Sequence, residues 1–148
     1  MKGKILRKKE IEAKLNEITD SVDLVSENLP DEFSVFEDLG LVKDGVYKRV
    51  EFAIENVIDV LNIINSDLRF GTPKDEEGII DNIEKERIFD KKFIDLVRRI
   101  RGFRNILVHK YGQVSDKIAY ESIKSGLDDF EFIIGEIEKF IVGFKDKK

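Results

Sequence analysis

The sequence has 148 residues but no cysteine, no tryptophan, two prolines and a single histidine. Without cysteine the chain has no disulfide framework, no thiolate ligand for a metal ion and no cysteine nucleophile. No apolar run approaches the roughly 20 residues that a membrane-spanning helix needs. The basic start, Met1–Glu10, also lacks the apolar stretch of a signal peptide. We therefore expect a soluble, cytoplasmic protein that does not enter a membrane.

What the sequence has in quantity is charge and branched apolar residues, at 39% charged and 41% hydrophobic. A mixture rich in Glu, Lys, Ile and Leu with few prolines is typical of amphipathic helices. No stretch alternates apolar and polar residues as a half-buried strand does. The length suits one ordinary domain, so we expect residues 1–148 to form a single all-α domain.

Apolar residues recur at three- and four-residue steps along four stretches, which is the pattern of one buried helix face. The stretches run from Ile11 to Leu29, from Val46 to Ile64, from Phe93 to Leu107 and from Ile123 to Phe144. A short helix is predicted around Ile79–Ile83, a short anchoring piece over Phe33–Leu39, and breaks at Gly40 and at the Asp44–Gly45 pair. These elements predict an up-and-down four-helix bundle with an additional short helix.

Charge is unevenly distributed along the chain, whose net charge is -5. The segment Lys91–Lys110 carries seven Lys or Arg residues against one acid, Asp95, while Glu121–Glu138 has the opposite bias. The only histidine, His109, lies inside this basic segment. The segment is therefore the strongest candidate for a functional site, with Arg98, Arg99, Arg101 and Lys110 as candidate RNA-binding residues.

This residue set suits the cleavage of RNA without a metal ion. Such cleavage needs a base to take the proton of the 2′-hydroxyl and a fixed cation to stabilise the charge that builds on the phosphorane. His109 can act as the base near neutral pH, and Arg104 can bind the phosphate oxygens with a permanent charge. Asn105 lies one helical turn before His109 and is the third candidate of this site.

One copy of this helix makes an incomplete site. Arg104 and His109 are five residues apart, which places them about 140° apart around a helix axis. The chain also has one histidine, whereas acid–base cleavage often uses two proton-transfer groups. A symmetric dimer that pairs two such helices would supply both, so we expect a homodimer formed through the motif-bearing helix.

The arrangement Arg104-Asn105-x-x-x-His109-x-Tyr111 resembles the R-x-x-x-x-H signature of the HEPN superfamily, and more closely that of its HepT-like branch. That branch adds a tyrosine two residues after the histidine. The segment Tyr47–Val60 similarly resembles the family's second helix, and the likeness extends over roughly Tyr47–Phe140. The first forty residues are less diagnostic.

The resemblance implies a metal-independent, homodimeric endoribonuclease that serves as the toxin of a type VII toxin–antitoxin system and needs no cofactor. Arg104, His109 and Asn105 would be its catalytic residues. The partner would be a minimal nucleotidyltransferase antitoxin of the MNT kind, which silences the nuclease by transferring AMP to the motif tyrosine, here Tyr111. Phosphate added there would place negative charge where an RNA phosphate binds.

Other readings of the same residues stay open at this point. The domain can be a non-catalytic HEPN module that binds a nucleotide or a nucleotidyltransferase partner, or a purely structural four-helix adaptor. A metal enzyme is disfavoured by the scarcity of histidine and cysteine. Arg104 can instead pair with an acid such as Glu55, and Glu55 with Asp59 can face the basic segment as an electrostatic brace. Tyr111 can simply pack its ring.

Overall fold

The computed structural model of the protein describes residues 4–109 and 115–146, apart from the side chain of His109. Within these ranges the chain forms helices and no strand, which confirms the all-α prediction. The helices are α1 Lys8–Asn28, α2 Phe33–Glu37, α3 Leu41–Asp67, α4 Glu76–Lys85, α5 Lys91–His109 and α6 Asp116–Gly143. In the described part of the chain, none of them combines the length and apolar character that crossing a bilayer requires.

The four long helices α1, α3, α5 and α6 alternate in direction. Salt bridges from α1 and the residue before it to α3 run in antiparallel order, with Arg7 bound to Asp67 at 2.9 Å and Lys14 bound to Asp59 at 3.3 Å. The apolar stripes face inward, and the largest fully buried side chains include Ile11, Ile18, Ile54, Leu61, Ile64, Phe93, Ile94, Ile133 and Ile137. The predicted up-and-down bundle is confirmed.

Two short helices accompany the bundle, where the sequence predicted one. The predicted helix around Ile79–Ile83 is α4, whose three isoleucines are buried. The predicted anchoring piece also forms a helix, α2. Its Phe36 is fully buried, with its ring 5.8 Å from that of Tyr47 and 5.0 Å from that of Tyr120. Packing of Phe36, and of Phe33 against Tyr120 at 5.8 Å, stabilises a five-residue helix that is too short to be stable alone.

The beginning of α3 differs from the prediction. Gly40 does break the chain, with a positive φ of 63°, but α3 starts at Leu41 and runs unbroken through the Asp44–Gly45 pair. The predicted break there was wrong because tertiary contacts hold this first turn. Lys43 Nζ and Tyr47 Oη donate to the two carboxylate oxygens of Asp116 at 2.8 and 2.6 Å, which ties the start of α3 to the start of α6.

Candidate functional site

The candidate site lies on the last two turns of α5. Phe93, Val97 and Leu107 pack the inner face of this helix into the core and fix its rotation. That rotation places Arg104 at the edge of the core, where the residue is only 9% exposed. A guanidinium so nearly buried is costly unless its N–H groups are paired.

Two contacts hold the Arg104 guanidinium. Its Nε donates to Asn105 Oδ1 at 3.0 Å, and its Nη2 donates to Glu76 Oε1 in the first turn of α4. Among the described residues its Nη1 makes no hydrogen bond. Because arginine has five N–H donors, the group is fixed along one edge while other donors stay available for a phosphate.

Glu76 is the residue that analysis of the sequence missed. The alternative partner for Arg104 considered from the sequence was Glu55 of α3, and the structure pairs Arg104 with Glu76 instead. The proposed brace of Glu55 and Asp59 is also not formed as expected, since Asp59 binds Lys14 of α1. The available signal was the acidic run that opens α4, which lies opposite the arginines when α4 packs antiparallel to α5.

Beyond Arg104, the arginines on this side of α5 form a row of ion pairs with α4. Arg98 binds Glu77 at 2.8 Å, Asp81 at 2.7 Å and Glu84 at 3.0 Å. Arg101 binds Glu76 and Glu77, both at 3.1 Å. Three guanidiniums therefore face four carboxylates, so this side of the basic segment is neutralised within the protein. The hydrogen bonds that Arg98 donates to Glu84 and Glu77 raise the pKa of its guanidinium above the ordinary value.

The four candidate RNA-binding residues thus lie in different settings. Arg98 and Arg101 are engaged with α4, whereas Arg99 is well exposed and pairs with Asp129 of α6 at 3.0 Å. Lys110 lies outside the described residues. RNA binding by these four residues stays a prediction.

The acidity of Glu76 reflects its two arginine partners. Partial burial acts to raise the pKa of its carboxyl, but the hydrogen bonds from Arg104 and Arg101 outweigh that effect. The pKa of Glu76 therefore lies below its ordinary value of 4.5. At neutral pH this residue is an anion held between two cations.

The end of α5 carries the remaining predicted site residues. The helix continues to His109, whose side chain lies outside the described part, as do Lys110 and Tyr111. A groove of about 320 Å³ lies beside this end of α5, lined by Asp44, Tyr47, Lys48, Glu51, Leu107 and Val108. Among the residues that the structure describes, no three acidic, histidine or cysteine side chains are grouped so as to hold a metal ion.

Comparisons with known proteins point to one family. A family model described as Ribonuclease HepT-like matches residues 15–137 of this chain. The mRNA nuclease HepT of Shewanella oneidensis is 26% identical over 97 residues, which are 66% of this chain and 73% of that protein.

Solved structures share the fold. The tri-AMPylated HEPN toxin of Shewanella oneidensis, in complex with MNT antitoxin, has a TM-score of 0.79 at 24% identity and covers 87% of this chain and 96% of its own. YutE, a cytosolic protein of Bacillus subtilis, has a TM-score of 0.77 at 16% identity over 95% of this chain and 93% of its own. The overall fold of this chain is thus shared with other solved proteins.

Proposed function

Since this chain belongs to the HepT-like ribonuclease family, we propose that it is an endoribonuclease toxin whose chemistry depends on Arg104 and His109. The family match covers most of the chain, and we take residues 1–148 to act as one domain in the cytoplasm. One observation carries the catalytic assignment. Arg104 is nearly buried, held along one edge, and has N–H groups left over for a phosphate.

The proposed reaction uses a nucleophile that RNA itself supplies. A histidine takes the proton of a 2′-hydroxyl, whose oxygen attacks the adjacent phosphorus while the bond to the 5′-oxygen breaks. The imidazolium that forms returns this proton, directly or through water, to the leaving 5′-oxygen. Arg104 stabilises the extra negative charge on the phosphorane oxygens. The products are a 2′,3′-cyclic phosphate and a 5′-hydroxyl, and no step calls for a metal ion.

We further propose that the site is completed in a homodimer. On the outer surface of α5, Ile106 is 41% exposed, and a side chain at Gly102, one helical turn earlier, would meet no atom within 4 Å. An exposed apolar residue next to a glycine on the same helix face favours packing against a second helix. Because Arg104 and His109 project about 140° apart from one helix, we assign each active site to Arg104 of one protomer and the partner's His109.

The partner and its control of the nuclease are proposed from the family. The Shewanella oneidensis toxin was solved with an MNT antitoxin and carries AMP groups. We propose that an MNT-type nucleotidyltransferase likewise transfers AMP to Tyr111 of this chain. Tyr111 follows the end of α5 by two residues. A phosphate attached there would compete with RNA phosphate for Arg104.

The catalytic assignment is tested by replacing each residue. Arg104→Ala and His109→Ala should each lower cleavage of an RNA oligonucleotide by roughly 100-fold or more, because each removes a transition-state interaction. Wild-type cleavage should persist in EDTA. Arg49→Ala, which removes an exposed cation from α3, is the matched control and should cleave at the wild-type rate.

Circular dichroism and dimer mass should be unchanged in all three variants. If either active-site variant keeps near-normal cleavage, the assigned roles are wrong. If the wild-type chain binds its partner but cleaves no RNA, the protein is a non-catalytic HEPN module.

A further inference from the structure

One carboxylate oxygen in this protein serves two arginines of the same helix. Glu76 Oε1 accepts from Arg104 Nη2 and also from Arg101 Nε, the latter at 3.1 Å. Arg101 in turn binds Glu77 at 3.1 Å through its Nη1. Glu76 is therefore restrained from one side by Arg101, whatever Arg104 does.

The backbone that carries Glu76 is also fixed. Asp75 caps α4 by accepting a hydrogen bond from the Gly78 N–H at 2.8 Å. The three isoleucines of α4 are buried in the core. A carboxylate at the N-terminal turn of a helix is further stabilised by the helix dipole. Glu76 thus presents its charge from a rigid element, which is the requirement for orienting another side chain.

Asn105 and Glu76 together restrict rotation of the Arg104 guanidinium. Asn105 Oδ1 accepts a hydrogen bond from Nε and Glu76 Oε1 accepts one from Nη2, so the group cannot turn about its Nε–Cζ bond while both contacts hold. Two N–H groups of Nη1 and one of Nη2 remain. A phosphate can accept hydrogen bonds from these N–H groups without displacing Glu76. The Glu76 contact therefore differs from an inhibitory contact that the substrate would have to break.

From this geometry we propose that Glu76 is a positioning residue, which holds the Arg104 guanidinium in the orientation that meets the phosphorane. The proposal rests on the proposed ribonuclease function and deepens it. Glu76 touches neither RNA nor the reacting atoms, and it acts only through Arg104. The benefit is a cation oriented before substrate arrives, so little reorganisation is needed during the reaction.

The neighbouring residue Glu77 provides a matched control. Its side chain is 41% exposed against 36% for Glu76, and it also joins α4 to α5 through Arg98 and Arg101. Among the described residues, the ion pair of Arg104 is with Glu76 and not with Glu77. A merely structural role in joining the two helices would be shared by both glutamates, whereas a positioning role belongs to Glu76 alone.

The first measurement is nitrogen NMR of the Arg104 guanidinium in the full chain, with its signals assigned from Arg104→Lys. Wild type and Glu77→Ala should give separate Nη1 and Nη2 signals, because rotation about the Nε–Cζ bond is hindered. Glu76→Ala should merge them. Separate signals in Glu76→Ala would overturn the proposal, as would merged signals in Glu77→Ala.

The second measurement is steady-state cleavage of an RNA oligonucleotide. Glu76→Ala should lower kcat by roughly 10- to 100-fold with KM changed by less than about twofold, since the loss concerns orientation in the transition state. Glu76→Gln, which keeps an acceptor oxygen, should recover part of that loss. Glu77→Ala should change kcat by less than about twofold.

Three outcomes of the kinetics contradict the proposal. Faster cleavage by Glu76→Ala would show that Glu76 inhibits the site. Equal losses of kcat in Glu76→Ala and Glu77→Ala would show a structural role. A rise in KM alone would show that Glu76 affects binding. A wild-type chain without cleavage would instead overturn the proposed function, and the hold of Glu76 on Arg104 would then be decided by the NMR signals.

Discussion

At the scale of single residues, the central feature is a nearly buried arginine, Arg104. Hydrogen bonds to two neighbouring side chains offset the free energy that its burial costs. Burying an unpaired guanidinium is strongly unfavourable, and Arg104 is only 9% exposed. Asn105 and Glu76 satisfy two of its donors. The charge is thereby retained at a position where solvent screens it weakly, and a weakly screened cation stabilises developing negative charge more effectively than an exposed one.

The ion pair between Arg104 and Glu76 should make the stability of the fold depend on pH. The pKa of Glu76 is lower in the folded protein than its ordinary value of 4.5, so its pairing contributes stability above pH 4.5 and loses it as pH falls through the folded pKa. Wild type should therefore melt above Glu76→Gln at neutral pH, by up to about 3 °C for a pair that solvent partly screens. Melting curves between pH 7 and about pH 3 should show this difference disappear. A difference that grows on acidification would contradict the assignment.

The sequence predicts that Arg104, Asn105 and His109 lie on one helix because their spacing is local, and α5 does contain all three positions. It did not identify Glu76, since that contact depends on how α4 packs against α5 across 28 positions of the chain. The acidic partner that the sequence suggested for Arg104 was Glu55 of α3. The acidic segment Glu121–Glu138 contributes only Asp129 to the ion pairs of α5 among the described contacts. Charge pattern predicts that a partner exists, but packing selects which one.

At the scale of elements, two helices end on residues that adopt a strained conformation. Arg69 follows the end of α3 with φ 59°, and Arg87 follows the end of α4 with φ 54°. Helices often end on a left-handed residue, usually glycine, because a side chain there clashes with its own backbone. Arginine at these positions therefore lowers stability, and neither arginine forms an ion pair within the described part of the chain that would offset this cost.

Replacing one of these arginines with glycine should stabilise the protein. Arg87→Gly should raise the free energy of unfolding by up to about 1 kcal/mol and the melting temperature by about 2–4 °C. Arg87→Ala is the matched control, since it removes the same charge but keeps a side chain at positive φ, and it should give no increase. Thermal unfolding followed by circular dichroism measures both. Equal increases would show that charge, not backbone strain, governs this position.

The start of α3 illustrates why element boundaries are harder to predict than elements. The local sequence predicts a break at the Asp44–Gly45 pair and another at Gly40. Only Gly40 breaks the chain, because Asp116 at the start of α6 binds both Lys43 and Tyr47. That contact spans about half the sequence, so no local pattern reveals it. It also fixes the start of α6 beside the end of α5, where the predicted site residues lie.

At the scale of the whole molecule, one chain is incomplete for the reaction that we propose for it. It carries one histidine, positions 104 and 109 lie about 140° apart around α5, and that helix exposes Ile106. A symmetric dimer would cover the exposed Ile106 and would join Arg104 of one protomer to the partner's His109, because each half of the composite site then comes from a different protomer. In the proposed site, Arg104 of one protomer therefore acts with the partner's His109 on one RNA phosphate.

The most direct test is complementation between two inactive variants. Arg104→Ala and His109→Ala are co-expressed with different affinity tags, and the mixed dimer is isolated on both tags. One of its two sites has both Arg104 and the partner's His109, and the other site has neither residue. RNA cleavage should therefore return to about half of the wild-type rate, while each variant alone stays inactive. A mixed dimer as inactive as its parents, or a chain that cleaves RNA as a monomer, would contradict the composite site.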